Sequence, residues 1–241
     1  MVDTGQPTWT LPAPGAAGAN QVVNLRTDPY GHLAVDLRAP TKGFLAVEGS
    51  YYTATNGQSG IATGATPTAF SATNPFITIF NTGNPNNTAA VRIVLDYITL
   101  IATAAGTAGA SVQCAFVKDT LNRYTSGGTA LTPVKTSTFG QPSVAQIYAG
   151  NITAAGASAS AVTPVGNRYL KGAIPVAGDT YTLQFGSVDN LSNIAVSTVT
   201  FSSQGLPPIC LNPGEMGLLH LWLPSQSAAS SYIPEIGWSE W

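Results

Sequence analysis

Apolar side chains in this chain recur with a period of two, in short runs separated by turn-forming residues, which is the pattern of half-buried strands. Phe76-Ile77-Thr78-Ile79-Phe80 is apolar on both faces apart from Thr78, and so predicts a central strand. Val91 to Ile101 is the longest candidate. Strict alternation puts Val91, Ile93, Leu95, Tyr97 and Ile101 on one face, and Arg92, Val94, Asp96, Ile98 and Leu100 on the other. Val112, Cys114 and Phe116 continue that pattern in a partner strand beyond a Gly-rich turn. Further strands are expected at Gly43–Val47, Gln146–Tyr148, Arg168–Leu170, Tyr181–Phe185, Ile194–Phe201, Ile209–Leu211, Met216–Leu223 and Tyr232–Trp238. Tyr51-Tyr52 is expected to open a loop, Ser126-Gly127-Gly128 to form a turn, and Asn81–Asn87 and residues 154–161 to be loop or linker. No helical period runs for three turns.

Many strands with turn-rich links and no crossover helices predict an all-β chain built as an antiparallel β-sandwich. Among sandwiches a jelly roll suits the strand number and the long connections. Residues 1–40 read differently. Pro7, Pro12, Pro14, Gly15 and Gly18 interrupt regular structure there, which predicts an extended N-terminal arm. It carries a turn at Asp28-Pro29-Tyr30-Gly31 and a short strand from Leu33 to Leu37. The sandwich domain is expected over 41–241. Trp9 and Leu11 in the arm, and Trp238 and Trp241 at the other end, are candidate anchors to a partner chain.

Charge changes the picture most. Nine Lys+Arg and eleven Asp+Glu make only 8% of 241 residues, against about 25% in an ordinary soluble domain. Charge keeps free proteins apart, and a surface of Ala, Thr, Ser, Gly, Asn and Pro loses little hydration when covered. The composition therefore points to a component of an assembly. Scattered cations and a net charge of −2 argue against nucleic acid as a partner. The charge-free stretch Tyr97–Val117 has the length of a membrane span, yet Gly106, Gly109 and Gln113 fit two strands better. The N-terminus lacks a secretory pattern, so Cys114 and Cys210 are expected as buried thiols and Asn87, Asn151 and Asn190 as turn residues.

Candidate chemistry is sparse. His32, Asp36 and a serine could be drawn as a triad, but no Gly-x-Ser-x-Gly elbow accompanies them. His220 lies in Leu218-Leu219-His220-Leu221-Trp222-Leu223, where packing against Trp222 is the simpler reading. Asp179 and Asp189-Asn190 are isolated turn residues, so neither a metal nor another cofactor is expected. Carboxylates for glycosidic cleavage would have to come from Glu48, Glu215, Glu235, Glu240 or Asp96. Tyr51, Tyr52, Tyr124, Trp222, Trp238 and Trp241 could instead make a sugar-stacking platform.

Arg26-Thr27-Asp28-Pro29-Tyr30-Gly31-His32-Leu33 resembles a turn-then-strand pattern of tailed-phage virion structural proteins. The likeness continues at Glu48–Thr55, Ala69-Phe70-Ser71, Leu95–Ile98, Leu219–Ser227 and Gly237-Trp238. The resemblance implies a head decoration (cement) protein without catalytic residues, assembled in the host cytoplasm and carried on the capsid surface. Its implied partners are the major capsid protein and further copies of itself, as a dimer or trimer. A receptor- or glycan-binding tail appendage is the alternative within the same class, and a sandwich hydrolase the alternative outside it.

Overall fold

A computed structural model describes residues 42–64, 67–84, 91–105, 111–138, 140–156, 162–186 and 201–241, with strand positions 9–12, 20–23, 26–27 and 33–34. The chain divides into a unit Met1–Thr41 and a unit Lys42–Trp241. In the first, β1 (Trp9–Pro12) pairs antiparallel with β2 (Asn20–Val23), and β3 (Arg26–Thr27) with β4 (Leu33–Ala34). Paired strands thus form despite the prolines; Pro12 is tolerated because it ends its strand. The turn at Asp28–Gly31 and the strand beyond Ala34 lie outside the described residues.

The second unit opens with α1 (Lys42–Glu48), where alternation had predicted a strand at Gly43–Val47. Gly49 ends this helix with φ 75°, its N–H donating to the Ala46 carbonyl and the Ser50 N–H to that of Leu45. Only a glycine enters that left-handed position without cost, so it was the helix-stop signal in the sequence.

Strands follow as β5 (Tyr51–Thr55), β6 (Ile61–Ala62), β7 (Ile77–Asn81), β8 (Ile93–Ala104), β9 (Val112–Asp119), β10 (Tyr124–Leu131) and β11 (Val134–Lys135). The remainder are β12 (Ala145–Ala154), β13 (Val162–Lys171), β14 (Thr180–Phe185), β15 (Phe201–Leu206), β16 (Cys210–Leu211), β17 (Met216–Trp222) and β18 (Ser231–Glu240). They form an all-β sandwich of two packed sheets. One sheet has the order β10-β12-β7-β17-β9-β13, the other β11-β5-β18-β8-β14-β15, with β6 and β16 added beside β18 and β8. All pairs are antiparallel except β14 with β15. β7 is central, as its two-sided apolar pattern required.

Several local readings change. Tyr51-Tyr52 opens a strand, not a loop. Ser126-Gly127-Gly128 lies inside β10, where the glycines at φ 82° and 74° make an irregular, twisted edge rather than a turn. Asn151 lies in β12 and is no turn residue, whereas Asn87 and Asn190 fall outside the described residues. Most of Ile194–Phe201 also falls outside. β8 and β9 are not partners: they lie in different sheets.

The face assignment in β8 changes too. Against β18 the register slips between Gly237↔Tyr97 and Trp238↔Leu95, which leaves Asp96 without an opposite number. Ile93 and Leu95 point inward before this bulge, and Ile98, Leu100 and Ala102 after it. Tyr97 is thereby turned outward, where its hydroxyl donates to Glu235 Oε1 at 2.8 Å. The interior holds Ile77, Ile79, Phe116, Ile147, Leu219 and Leu221 from one sheet against Ile98, Leu100, Tyr181, Tyr232 and Ile236 from the other. Arg168 on edge strand β13 donates from Nε and Nη2 to the Gly205 carbonyl on edge strand β15, at 3.2 and 2.7 Å, tying the sheets together along one side.

Candidate functional site

Leu219 and Leu221 of β17 face the core, so Leu218, His220 and Trp222 must face outward. An outer sheet face is ordinarily polar, yet here Met216, Leu218 and His220 are all buried. Phe80, Tyr124 and Ala154 pack on Met216 and Leu218, and a loop at residues 67–75 covers His220. The Leu223 N–H and Gln226 Nε2 donate to the Pro67 carbonyl at 2.9 and 2.7 Å, and the Phe76 N–H to the Leu219 carbonyl at 2.7 Å. Arg123 Nη1 donates to the Ala72 carbonyl at 3.0 Å, and the Ala154 N–H to that of Thr73 at 2.8 Å. Arg123 is itself buried and fixed by Asp119, 2.5 Å away, with a further bond to the Ala155 carbonyl.

The loop brings Phe70 over both aromatic groups of β17. Its ring lies 4.8 Å from His220 and 5.9 Å from Trp222, the latter edge-on at 79°. His220 therefore packs against Phe70 rather than directly on Trp222. Beside this trio is a groove of about 770 Å³, lined by Ala115 and Val117 of β9, Val162, Pro164 and Asn167 of β13, and Arg123. His220 lines it too, is 1% exposed, and neither ring nitrogen has a hydrogen-bond partner. Loss of hydration on burial, aided by the Arg123 charge and partly opposed by the Ser71 backbone, lowers its pKa to about 4. The ring is neutral at pH 7.

Register places the rest of that face. Trp222 pairs with Gln113 and Gln113 with Tyr169, so the three form one row across β17, β9 and β13. His220, Ala115 and Asn167 form the next. Tyr169 is 64% exposed.

On the opposite outer face, Tyr51 donates to Asp96 at 2.5 Å and Lys42 pairs with Asp96 at 2.7 Å. Burial and the carboxylates Asp96 and Glu235 raise the pKa of both Tyr51 and Tyr97, so the phenols stay neutral donors. Asp179, expected as an isolated turn residue, is buried and accepts from Lys171 at 2.5 Å, the Val176 N–H at 2.7 Å and Tyr181 at 3.0 Å. Glu240 accepts from Trp238 Nε1 at 2.9 Å, from the Val144 N–H at 3.1 Å and from Ser143. These carboxylates hold the fold together.

The anchor candidates separate. Trp238 is 0% exposed and stacks on Tyr52 at 5.9 Å in the core; it anchors nothing outside, because alternation along β18 puts it on the same inner face as Tyr232 and Ile236. Trp241, one residue past β18, is 51% exposed. Trp9 and Leu11 lie on β1, but their side chains are outside what is described, as are His32 and Asp36. The six aromatics proposed as a sugar platform do not gather: Tyr52 and Trp238 are internal, Tyr51 lies on the other sheet, and Tyr124 stacks on Tyr148 at 4.2 Å. Phe70, Gln113, Asn167 and Tyr169, which share the face of Trp222, were missed. The available signal was β17 itself, apolar on both faces.

Cys114 is a buried thiol whose pKa burial pushes up to about 12, and Cys210 is a free thiol partly buried on β16. Among the described residues no three His, Cys, Asp or Glu side chains are placed to hold a metal ion, and no helix is long and apolar enough to cross a membrane. No family model, curated protein or solved structure matches the chain.

Proposed function

We propose that this chain is a non-enzymatic virion structural protein, a decoration or cement protein that binds the major capsid protein and reinforces a phage head. The observation that carries the reading is where its few charges go. Lys42 is paired with Asp96, Lys118 with Glu215, Arg123 with Asp119 and Lys171 with Asp179. Arg168 and Lys135 are spent on backbone carbonyls, Glu235 and Glu240 on hydroxyl and N–H donors. The described surface left over carries few unpaired charges, and such a surface is cheap to desolvate against another subunit.

On this reading contact area does the work, with a specific interface needing about 1,600 Å² and oligomers multiplying weak contacts. The sandwich, jelly-roll-like in its wiring, supplies subunit contacts as a dimer or trimer, and the N-terminal unit reaches a neighbour. Neither nucleic acid nor membrane is a partner. Mixing purified chain with undecorated heads tests this: the full chain is expected to co-sediment with shells, and a form lacking residues 1–25 to stay folded but occupy fewer sites. Absence of shell binding by the full chain would refute the assignment.

A further inference from the structure

Where β17, β9 and β13 run side by side, the outer face of the six-stranded sheet is aromatic and concave. Trp222 and Tyr169 stand two strands apart, about 10 Å from an interstrand spacing of about 4.8 Å, with the Gln113 amide between them. In the adjoining row Ala115 leaves a low floor between His220 and Asn167. Phe70, 49% exposed, walls one side, and Pro164 lies on the other. A concavity of about 770 Å³ lined by apolar and aromatic groups with a few convergent polar ones is the usual form of a small-ligand site.

The polar groups define the ligand. Gln113 and Asn167 are neutral amides, each a donor and an acceptor, and Gln113 Nε2 donates to Ser111 Oγ at 2.8 Å, which fixes that amide in place. His220 contributes the body of its ring to the wall, since both of its nitrogens are closed to solvent. Arg123 brings no net charge, since Asp119 pairs with it at 2.5 Å. An uncharged molecule with an apolar face and several hydroxyls meets these conditions: its C–H face stacks on an aromatic ring while its hydroxyls exchange hydrogen bonds with the amides. We propose that this groove binds a neutral saccharide, with Trp222 and Tyr169 as stacking rings and Gln113 and Asn167 as hydroxyl partners. A wholly apolar ligand would strip water from the exposed Asn167 amide without replacing it, and an anionic sugar would find Arg123 already paired with Asp119.

The full chain, titrated with maltose, cellobiose, lactose and N,N′-diacetylchitobiose, tests the site by calorimetry and by NMR of the Trp222 indole and the Gln113 and Asn167 amides. At least one disaccharide is expected to bind with a Kd of about 1 mM or tighter and to move those signals. Tyr169→Ala and Asn167→Ala should each weaken it by about tenfold or more. Both side chains are exposed, so the melting temperature should stay unchanged. Tyr124→Ala, removed from the groove, should leave binding intact. Three results would overturn the assignment: no response to any of these sugars, binding that survives both groove substitutions, or signals that move with the peptide Gly-Trp-Gly and not with sugar. The last would make the groove a socket for a protein side chain.

Discussion

At Gly237 an added Cβ would sit 2.3 Å from Cε1 of Tyr97 and 2.8 Å from the Tyr51 hydroxyl. The two rings cross β18 there to reach Glu235 and Asp96, so the missing side chain makes room for the outer-face network. Gly237→Ala should cost about 1–3 kcal/mol in urea unfolding, and adding Tyr97→Ala should return part of the loss. An unchanged midpoint would contradict that packing. His220 makes a separate prediction. Its imidazole is held at about 4 in the fold against 6.5 when unfolded, so the unfolded chain takes up the proton first as pH falls. Stability from this group is full above about pH 6.5 and declines toward about pH 4, by about 3 kcal/mol. His220→Leu should remove that part of the slope; parallel stability–pH curves for the two proteins would refute it.

Among elements, the loop at 67–75 depends on a clamp that its own sequence does not announce. Asp119 and Arg123 form a buried pair at 2.5 Å, and the guanidinium then holds the carbonyls of Ala72 and Ala155. Breaking one side leaves a buried charge, so Asp119→Asn should cost about 3–5 kcal/mol. Amide exchange should speed up first at residues 70–75, and exchange unaltered there would exclude the clamp. The same scale separates what alternation could and could not reveal. β7 and β17 were legible because both their faces are apolar. The bulge at Asp96 was not, since a one-residue slip depends on the neighbouring strand and reverses every later side chain. Trp238 read as an anchor from its place near the end of the chain, although alternation with Tyr232 and Ile236 puts it in the core. The helix at Lys42–Glu48 was missed because two turns carry too little periodicity to outweigh Phe and Val.

For the whole molecule, the period of two was enough for an all-β sandwich, because burial on one face of each strand is a local signal. Sheet order was not, since pairing joins residues far apart, as β5 with β18 and β7 with β17. The groove was hidden for that reason: Trp222, Gln113 and Tyr169 become neighbours only when three strands align. Low charge in the composition is what the proposed contact role rests on, and the internal ion pairs Arg123–Asp119 and Lys171–Asp179 add to it. The proposed contact surface has a signature in salt. Charged interfaces weaken as ions screen them, whereas apolar and neutral ones do not. The direct test is sedimentation of the purified full chain across protein concentration, from about 0.05 to 1 M salt. A closed oligomer that persists or tightens at the highest salt is the expected result; a monomer at every concentration and salt would contradict the account.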